Sequence, residues 1–189
     1  RGVTEPYLVP VDDGGLRYAS ADQPWSCHHF ARTEIAVVPA DAAEVRRVTV
    51  TNNGTVAREI ELTSYGETVL APPDADRAHP AFANLFVQTE WHGWCSAVFA
   101  TRRPRSAGEA SPWAVHVAAV DGTRVGEVTC ETDRARVIGR GRSVRDPAIL
   151  DDAADGPLPG TVGAVLDPVA VLRVRLRLAP GASGTVAFT

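Results

Sequence analysis

The chain reads as an all-β protein, an antiparallel two-layer β-sandwich. Three observations predict it. Residues 44–65 alternate β-branched runs around an Asn-Asn-Gly turn. Leu172, Val174, Leu176 and Leu178 alternate with Arg173, Arg175 and Arg177, which is strand periodicity. Turn dipeptides separate further short apolar runs, and no ten-residue window carries a helical period except a weak one at 147–153.

Taken in chain order, a first strand is expected at 35–38. The next, 44–51 (EVRRVTVT), is β-branched and stops at Asn52-Asn53-Gly54, where Asn and Gly tolerate the positive φ of a tight turn. The return strand, 57–65 (AREIELTSY), sets Ile60 and Leu62 on one face and Glu59 and Glu61 on the other. A β-hairpin with one face on a core is therefore predicted. Further strands are expected at 85–90, 96–101, 113–120, 126–132, 169–178 and 185–188, with Asp121-Gly122, Asp167-Pro168 and Pro180-Gly181 as turns. The 172–178 strand should bury its Leu and Val face and lay its arginines across an outer surface. Residues 151–160 (DDAADGPLPG) read as a surface loop.

Between strands, the chain spends Pro72, Pro73, Asp74, Asp76, His79, Pro80, Phe82 and Asn84 on non-periodic sequence. A loop of that length carrying aromatic and amide groups is expected to build a functional surface.

Composition narrows the function classes. With 189 residues, 44% of them hydrophobic and 22% charged, the chain suits one soluble domain spanning 1–189 that needs no metal or disulfide. No apolar run reaches a membrane span. A net charge of −4 disfavours nucleic-acid binding. All 19 basic residues are arginine, clustered at Arg102, Arg103 and Arg105 and at Arg134, Arg136, Arg140, Arg142 and Arg145. These clusters are either a solvated face or a site for sugar hydroxyls, phosphate or a partner carboxylate, which the planar guanidinium suits. Three cysteines, Cys27, Cys95 and Cys130, fit a reducing compartment and small buried side chains. The absence of Met points to a processed form or an excised piece, the latter favoured.

Two clusters combine Trp, Cys and His: Trp25, Cys27, His28 and His29, and Trp91, His92, Trp94 and Cys95. Neither has the paired ligand spacing of a zinc finger or ribbon, so no metal and no cofactor is expected. The same tryptophans, with Trp113, offer a stacking platform for sugar rings, with core packing as the alternative. No nucleophile elbow, P-loop or dinucleotide fingerprint is present, and no catalytic residue is nominated.

Residues 44–65 (EVRRVTVTNNGTVAREIELTSY) resemble the β-sandwich domain of glycoside hydrolase family 94, formerly glycosyltransferase family 36. The likeness is greatest to cyclic β-1,2-glucan synthases. It continues through 67–90 (ETVLAPPDADRAHPAFANLFVQTE), 100–106 (ATRRPRS), 131–147 (ETDRARVIGRGRSVRDP) and 163–169 (GAVLDPV), covering most of 35–189, whereas 1–34 match poorly. The resemblance implies a galactose-mutarotase-like supersandwich, either a shortened variant or a truncated piece. It implies a parent phosphorylase or transferase whose catalytic Asp lies in a separate (α/α)6 barrel, so that this domain alone is inactive. It also implies a homodimer, a β-glucan oligosaccharide ligand, and a cytoplasmic location with the parent anchored at the bacterial inner membrane. In the related cellobiose phosphorylases a sandwich loop reaches the neighbouring subunit's acceptor-sugar pocket. Here that loop corresponds to 72–86, giving Asp76, His79, Phe82 and Asn84 as candidate sugar-site residues, with Asn84 falling where those relatives carry arginine. Arg102, Arg103 and Arg105 remain candidates for a sugar, phosphate or interface contact. The alternative from another class is an independent carbohydrate-binding module using the surface tryptophans.

Overall fold

A computed structural model describes residues 6–10, 16–20, 23–26, 29–39, 41–151 and 156–189, with side chains from Ala31 onward. Its strands are β1 (Pro6–Pro10), β2 (Leu16–Ser20), β3 (Gln23–Ser26), β4 (His29–Val38), β5 (Ala43–Asn52), β6 (Arg58–Thr63) and β7 (Gly66–Glu67). They continue as β8 (Val87–His92), β9 (Ala97–Arg102), β10 (Trp113–Asp121), β11 (Thr129–Asp133), β12 (Pro168–Leu178) and β13 (Ser183–Phe188). The registered pairs are all antiparallel and build two sheets, so the fold class is the expected all-β sandwich.

The chain divides into two compact units, Arg1–Leu62 with Ala118–Glu127 and Val174–Thr189, and Thr63–Val117 with Val128–Arg173. In the first, β1-β2-β4-β5-β13 and the end of β10 form one sheet, and β6 lies beside the end of β12 in the other. Val50, Leu62, Val174, Leu176, Leu178, Val186 and Phe188 supply its core. Gly184 of β13 lets the layers close: a Cβ there would sit 3.0 Å from Leu176 and 3.1 Å from Leu178 side-chain atoms.

The predicted hairpin does not form. β5 pairs along its whole length with β4 and also with β13, whereas β6 belongs to the other sheet. The Asn-Asn-Gly segment does turn, with Gly54 N–H donating to Asn52 Oδ1 at 3.0 Å. It carries the chain between sheets because Asn52 is fully buried and its Nδ2 donates to the Val56, Leu178 and Ala179 carbonyls at 2.8, 3.0 and 3.2 Å. Those carbonyls belong to the crossing itself and to the end of β12, so the amide ties two separate turns together. The arginine face of β12 is likewise graded rather than uniformly outer. Arg173 is buried, donating to Thr63 Oγ1 at 3.1 Å and to the carbonyls of Gly156 and Ile149. Arg175 and Arg177 pair with Glu61 and Glu59 of β6.

In the second unit, β8-β9 and the start of β10 form one layer, and β7, β11 and the start of β12 the other. Val137, Ile138, Ile149, Leu158, Val169 and Val171 are its main cluster, with Tyr65 packed against it. Two polar pins join the layers: Thr89 Oγ1 to Thr132 Oγ1 at 2.7 Å, and Ser64 Oγ to His116 Nε2 at 2.7 Å. Short helices interrupt the β pattern: α1 (Pro73–Ala78), α2 (Pro80–Asn84) and α3 (Arg134–Ile138). The described part of the 147–153 window, residues 147–151, holds a 3-10 turn at Ala148–Leu150. Helices of five or six residues are too short to show a period. α3 starts because Asp133 caps it, Ala135 N–H donating to Asp133 Oδ1 at 2.9 Å.

Candidate functional site

The loop after β7 folds into α1 and α2 because each begins on a proline, whose fixed φ suits the first helical position. Asp74 and Asp76 lie in the first turn of α1, where the helix dipole favours negative charge. His79 links the helices through its backbone: its N–H donates to the Ala75 carbonyl at 3.1 Å, and its own carbonyl accepts from Phe82 and Ala83 at 3.1 and 3.0 Å. Ala83 is the buried anchor of α2. This leaves Phe82 half exposed, at 50%, and Asn84 partly buried behind it.

Asn84 and Asp76 face a cavity of about 220 Å³, lined also by Glu67, Thr68, Arg134 and Asp167. Asn84 Nδ2 donates to Asp167 Oδ1 at 3.1 Å, while Asp167 Oδ2 lies 3.6 Å from Arg134 Nη1. Arg134 Nε donates to Tyr65 OH at 3.3 Å and lies 3.7 Å from Glu67 Oε1, which also accepts from Tyr65 OH at 3.1 Å. The hydrogen bond to Tyr65 raises the pKa of Arg134, and the charges of Asp167 and Glu67 add to the effect. Burial pushes the Tyr65 phenol above its ordinary value, against the opposing hydrogen bond from Arg134. Three carboxylates face one guanidinium, so the groove retains acceptor capacity suited to hydroxyl donors.

The second candidate cluster meets the loop tip. Phe82 and Phe86 pack edge to face with centroids 5.3 Å apart. The Arg105 guanidinium lies 5.4 Å from the Phe82 ring and 5.5 Å from Phe86, and Arg102 lies 5.9 Å from Phe86, within cation–π range. Buried Arg102 binds Glu109 Oε1 at 2.6 Å through Nη1, while its Nε has no partner. The Arg102 hydrogen bond, with a further one from the Arg105 backbone, holds the Glu109 carboxyl below the usual range. Arg103 Nη2 donates to the Leu85 carbonyl at 3.2 Å, and its N–H to the Phe86 carbonyl at 2.8 Å. All three arginines therefore brace the loop. Phe82 and Arg105 come together; Asn84 and Asp76 point into the groove instead, and His79 is exposed without lining it.

In the second arginine cluster, Arg134 enters the groove, Arg142 pairs with Asp151 at 2.8 Å and Arg136 with Asp133 at 3.8 Å. Cys27 and His28 lie outside the described residues, as do the side chains of Trp25 and His29. Among the described residues no three His, Cys, Asp or Glu side chains gather as a metal site. Cys130 is buried and Cys95 partly so. Trp91 is partly buried, Trp94 is 86% exposed on the 3-10 turn at Gly93–Cys95, and Trp113 is 60% exposed.

Sequence reasoning missed Glu67 and Asp167 as groove residues and Tyr65 as the phenol that binds Glu67 and Arg134 beside them, having read Tyr65 as a strand end and Asp167 as a turn. The Tyr-Gly-Glu and Asp-Pro steps hold no chemical signature, since only pairing of β7 with β12 brings them together. It also missed Glu131, a fully buried carboxylate accepting backbone N–H bonds from Thr132, Asp133 and Thr161 at 2.9, 2.8 and 3.4 Å.

Residues 28–189 match the family described as glycosyl hydrolase 94, supersandwich domain. The chain is also 37% identical over 158 residues to the cyclic beta-(1,2)-glucan synthase NdvB of Rhizobium meliloti (strain 1021). That alignment covers 84% of this chain and 6% of the relative, so the chain spans a small part of the protein it matches.

Proposed function

This chain belongs to the glycosyl hydrolase 94 supersandwich family, and from that premise we propose that it is a non-catalytic β-sandwich of a β-glucan-processing enzyme. The parent would resemble a cyclic β-1,2-glucan synthase, whose catalytic (α/α)6 barrel, or a second subunit in a homodimer, packs against this domain. The α1–α2 loop would lend a wall to the sugar site there. One observation carries the reading: Phe82 is half exposed yet held by Arg105 and Phe86. A ring held in place without being buried is suited to stack on a sugar presented from elsewhere. The groove behind it, with Asp76, Asn84 and Asp167, supplies acceptors and an amide for sugar hydroxyls. The family's phosphorolytic chemistry would be supplied by the parent's barrel, at the cytoplasmic face of an anchored protein. Among the described residues no helix is long and apolar enough to cross a membrane.

The test uses the intact parent enzyme. Phe82→Ala and Asn84→Ala should each raise the acceptor KM by roughly tenfold, the scale of one lost stacking or hydrogen-bond contact. The kcat at saturating acceptor should change little. Unchanged acceptor kinetics in both variants would overturn the loop's role.

A further inference from the structure

A second ring system stands apart from the loop, on β8, β9 and β10. In-register partners share a face, so Glu90, Phe99 and Val115 stand together, as do Gln88, Thr101 and Trp113. The opposite face, with Val87, Thr89, Val98, Ala100 and Arg102, is buried, which makes the first face the outer one. His92 packs edge-on to Phe99 with centroids 4.6 Å apart, and Phe99 edge-on to Trp113 at 6.4 Å. The row ends in Trp113, 60% exposed and propped by a ring that is itself propped. Beside it, Thr101 Oγ1 and Ser111 Oγ lie 3.2 Å apart, and Glu90 approaches His92 Nε2 at 3.3 Å.

We propose that this face is a second glucan-contact surface, with Trp113 as the stacking ring for a pyranose of a β-linked glucan. Thr101, Ser111 and Gln88 would be the partners for its hydroxyls. The chemistry selects the occupant. Thr101 and Ser111 offer hydroxyls beside Trp113, Gln88 lies in the same row beyond Thr101, and the Glu90 carboxylate stands on the same face, so the surface complements a neutral, hydroxyl-rich ligand better than a phosphate. A pyranose pairs an apolar C–H face with a hydroxyl edge, and the surface sets an indole face beside hydroxyls and an amide. Because Phe99 restricts the indole before binding, little side-chain entropy is lost on contact. The ligand class rests on the function proposed above; the site does not overlap the α1–α2 loop.

The experiment titrates β-1,2-gluco-oligosaccharide into the 189-residue chain, followed by calorimetry and tryptophan fluorescence. It compares wild type with Trp113→Ala, Trp113→Tyr, and Phe82→Ala with Asn84→Ala combined. Thermal unfolding confirms that the exposed substitutions leave the fold intact. Saturable binding that falls about tenfold in Trp113→Ala, is largely kept in Trp113→Tyr and in the loop double variant, and is indifferent to added phosphate supports the surface. Four results overturn it: no saturable binding at millimolar sugar, unchanged affinity in Trp113→Ala, loss of binding only in the loop variant, or a self-association that Trp113→Ala abolishes without any sugar response. The first two leave the loop hypothesis standing, because its own readout is acceptor kinetics in the parent.

Discussion

Replacing Asn84 by aspartate sets a second carboxylate against Asp167 Oδ1, where the amide now donates at 3.1 Å. The lost charge-assisted hydrogen bond is worth about 1.5 kcal/mol. Two charges roughly 3 Å apart repel by about 1.3 kcal/mol in water and about 5 at an effective dielectric of 20, and a partly exposed pair belongs near the lower end. Arg134, 3.6 Å from the far oxygen of Asp167, offsets part of the repulsion. The sum is about 2–3 kcal/mol at neutral pH, combining the bond and the repulsion. The sign with pH follows from linkage. The folded state opposes ionisation of the introduced carboxyl, raising its pKa above the unfolded value of about 3.9. The repulsive penalty is complete above that raised pKa, fades as pH falls from it toward the unfolded value, and is gone below the latter. Urea unfolding of wild type and Asn84→Asp at neutral and acid pH reads the difference, and hydrogen exchange at residues 73–86 shows whether the loop opens alone. A destabilisation equal at both pH values, or none at neutral pH, would show that Asn84 and Asp167 do not meet as described.

Other positions give equally direct outcomes. Asn52→Ala leaves three carbonyls and the Gly54 N–H without their partner and should cost about 2–4 kcal/mol in denaturant unfolding, far more than a hairpin-turn residue would. Gly139→Ala should cost about 2 kcal/mol or more, because φ is +84° and the new Cβ would lie 2.8 Å from that of Ala148; a neutral melt would refute the α3 ending. Burial, with help from the Glu131 charge, pushes the Cys130 thiol up to about 11. In a variant lacking the other two cysteines, thiol labelling at mildly alkaline pH should therefore proceed only through unfolding. The unfolded thiol ionises near about 8.5, so this group's contribution to stability should decline as pH rises from there toward the folded value.

Period-two alternation and turn residues determined the fold class and most strand positions in the sequence itself, because a half-buried strand must alternate its faces residue by residue. The 72–86 loop stood out for the same reason in reverse, as prolines, a phenylalanine and an amide with no period. Strand partnership was not local information. Asn52-Asn53-Gly54 has the chemistry of a hairpin turn, yet whether the chain returns beside β5 or crosses to the other sheet depended on carbonyls offered by Leu178 and Ala179, 126 and 127 residues away. Arg173 looked like its neighbours Arg175 and Arg177, and only the packing of Ile149 and Gly156 over it made it a buried donor. The site divides the same way. Phe82, Asn84 and the two arginine clusters were legible in the sequence, whereas the placement of Arg105 under the tip, and of Glu67, Arg134 and Asp167 around the groove, came only from the packing of separate segments. Tertiary packing converges them because charged groups leaving water must find partners wherever the fold brings them.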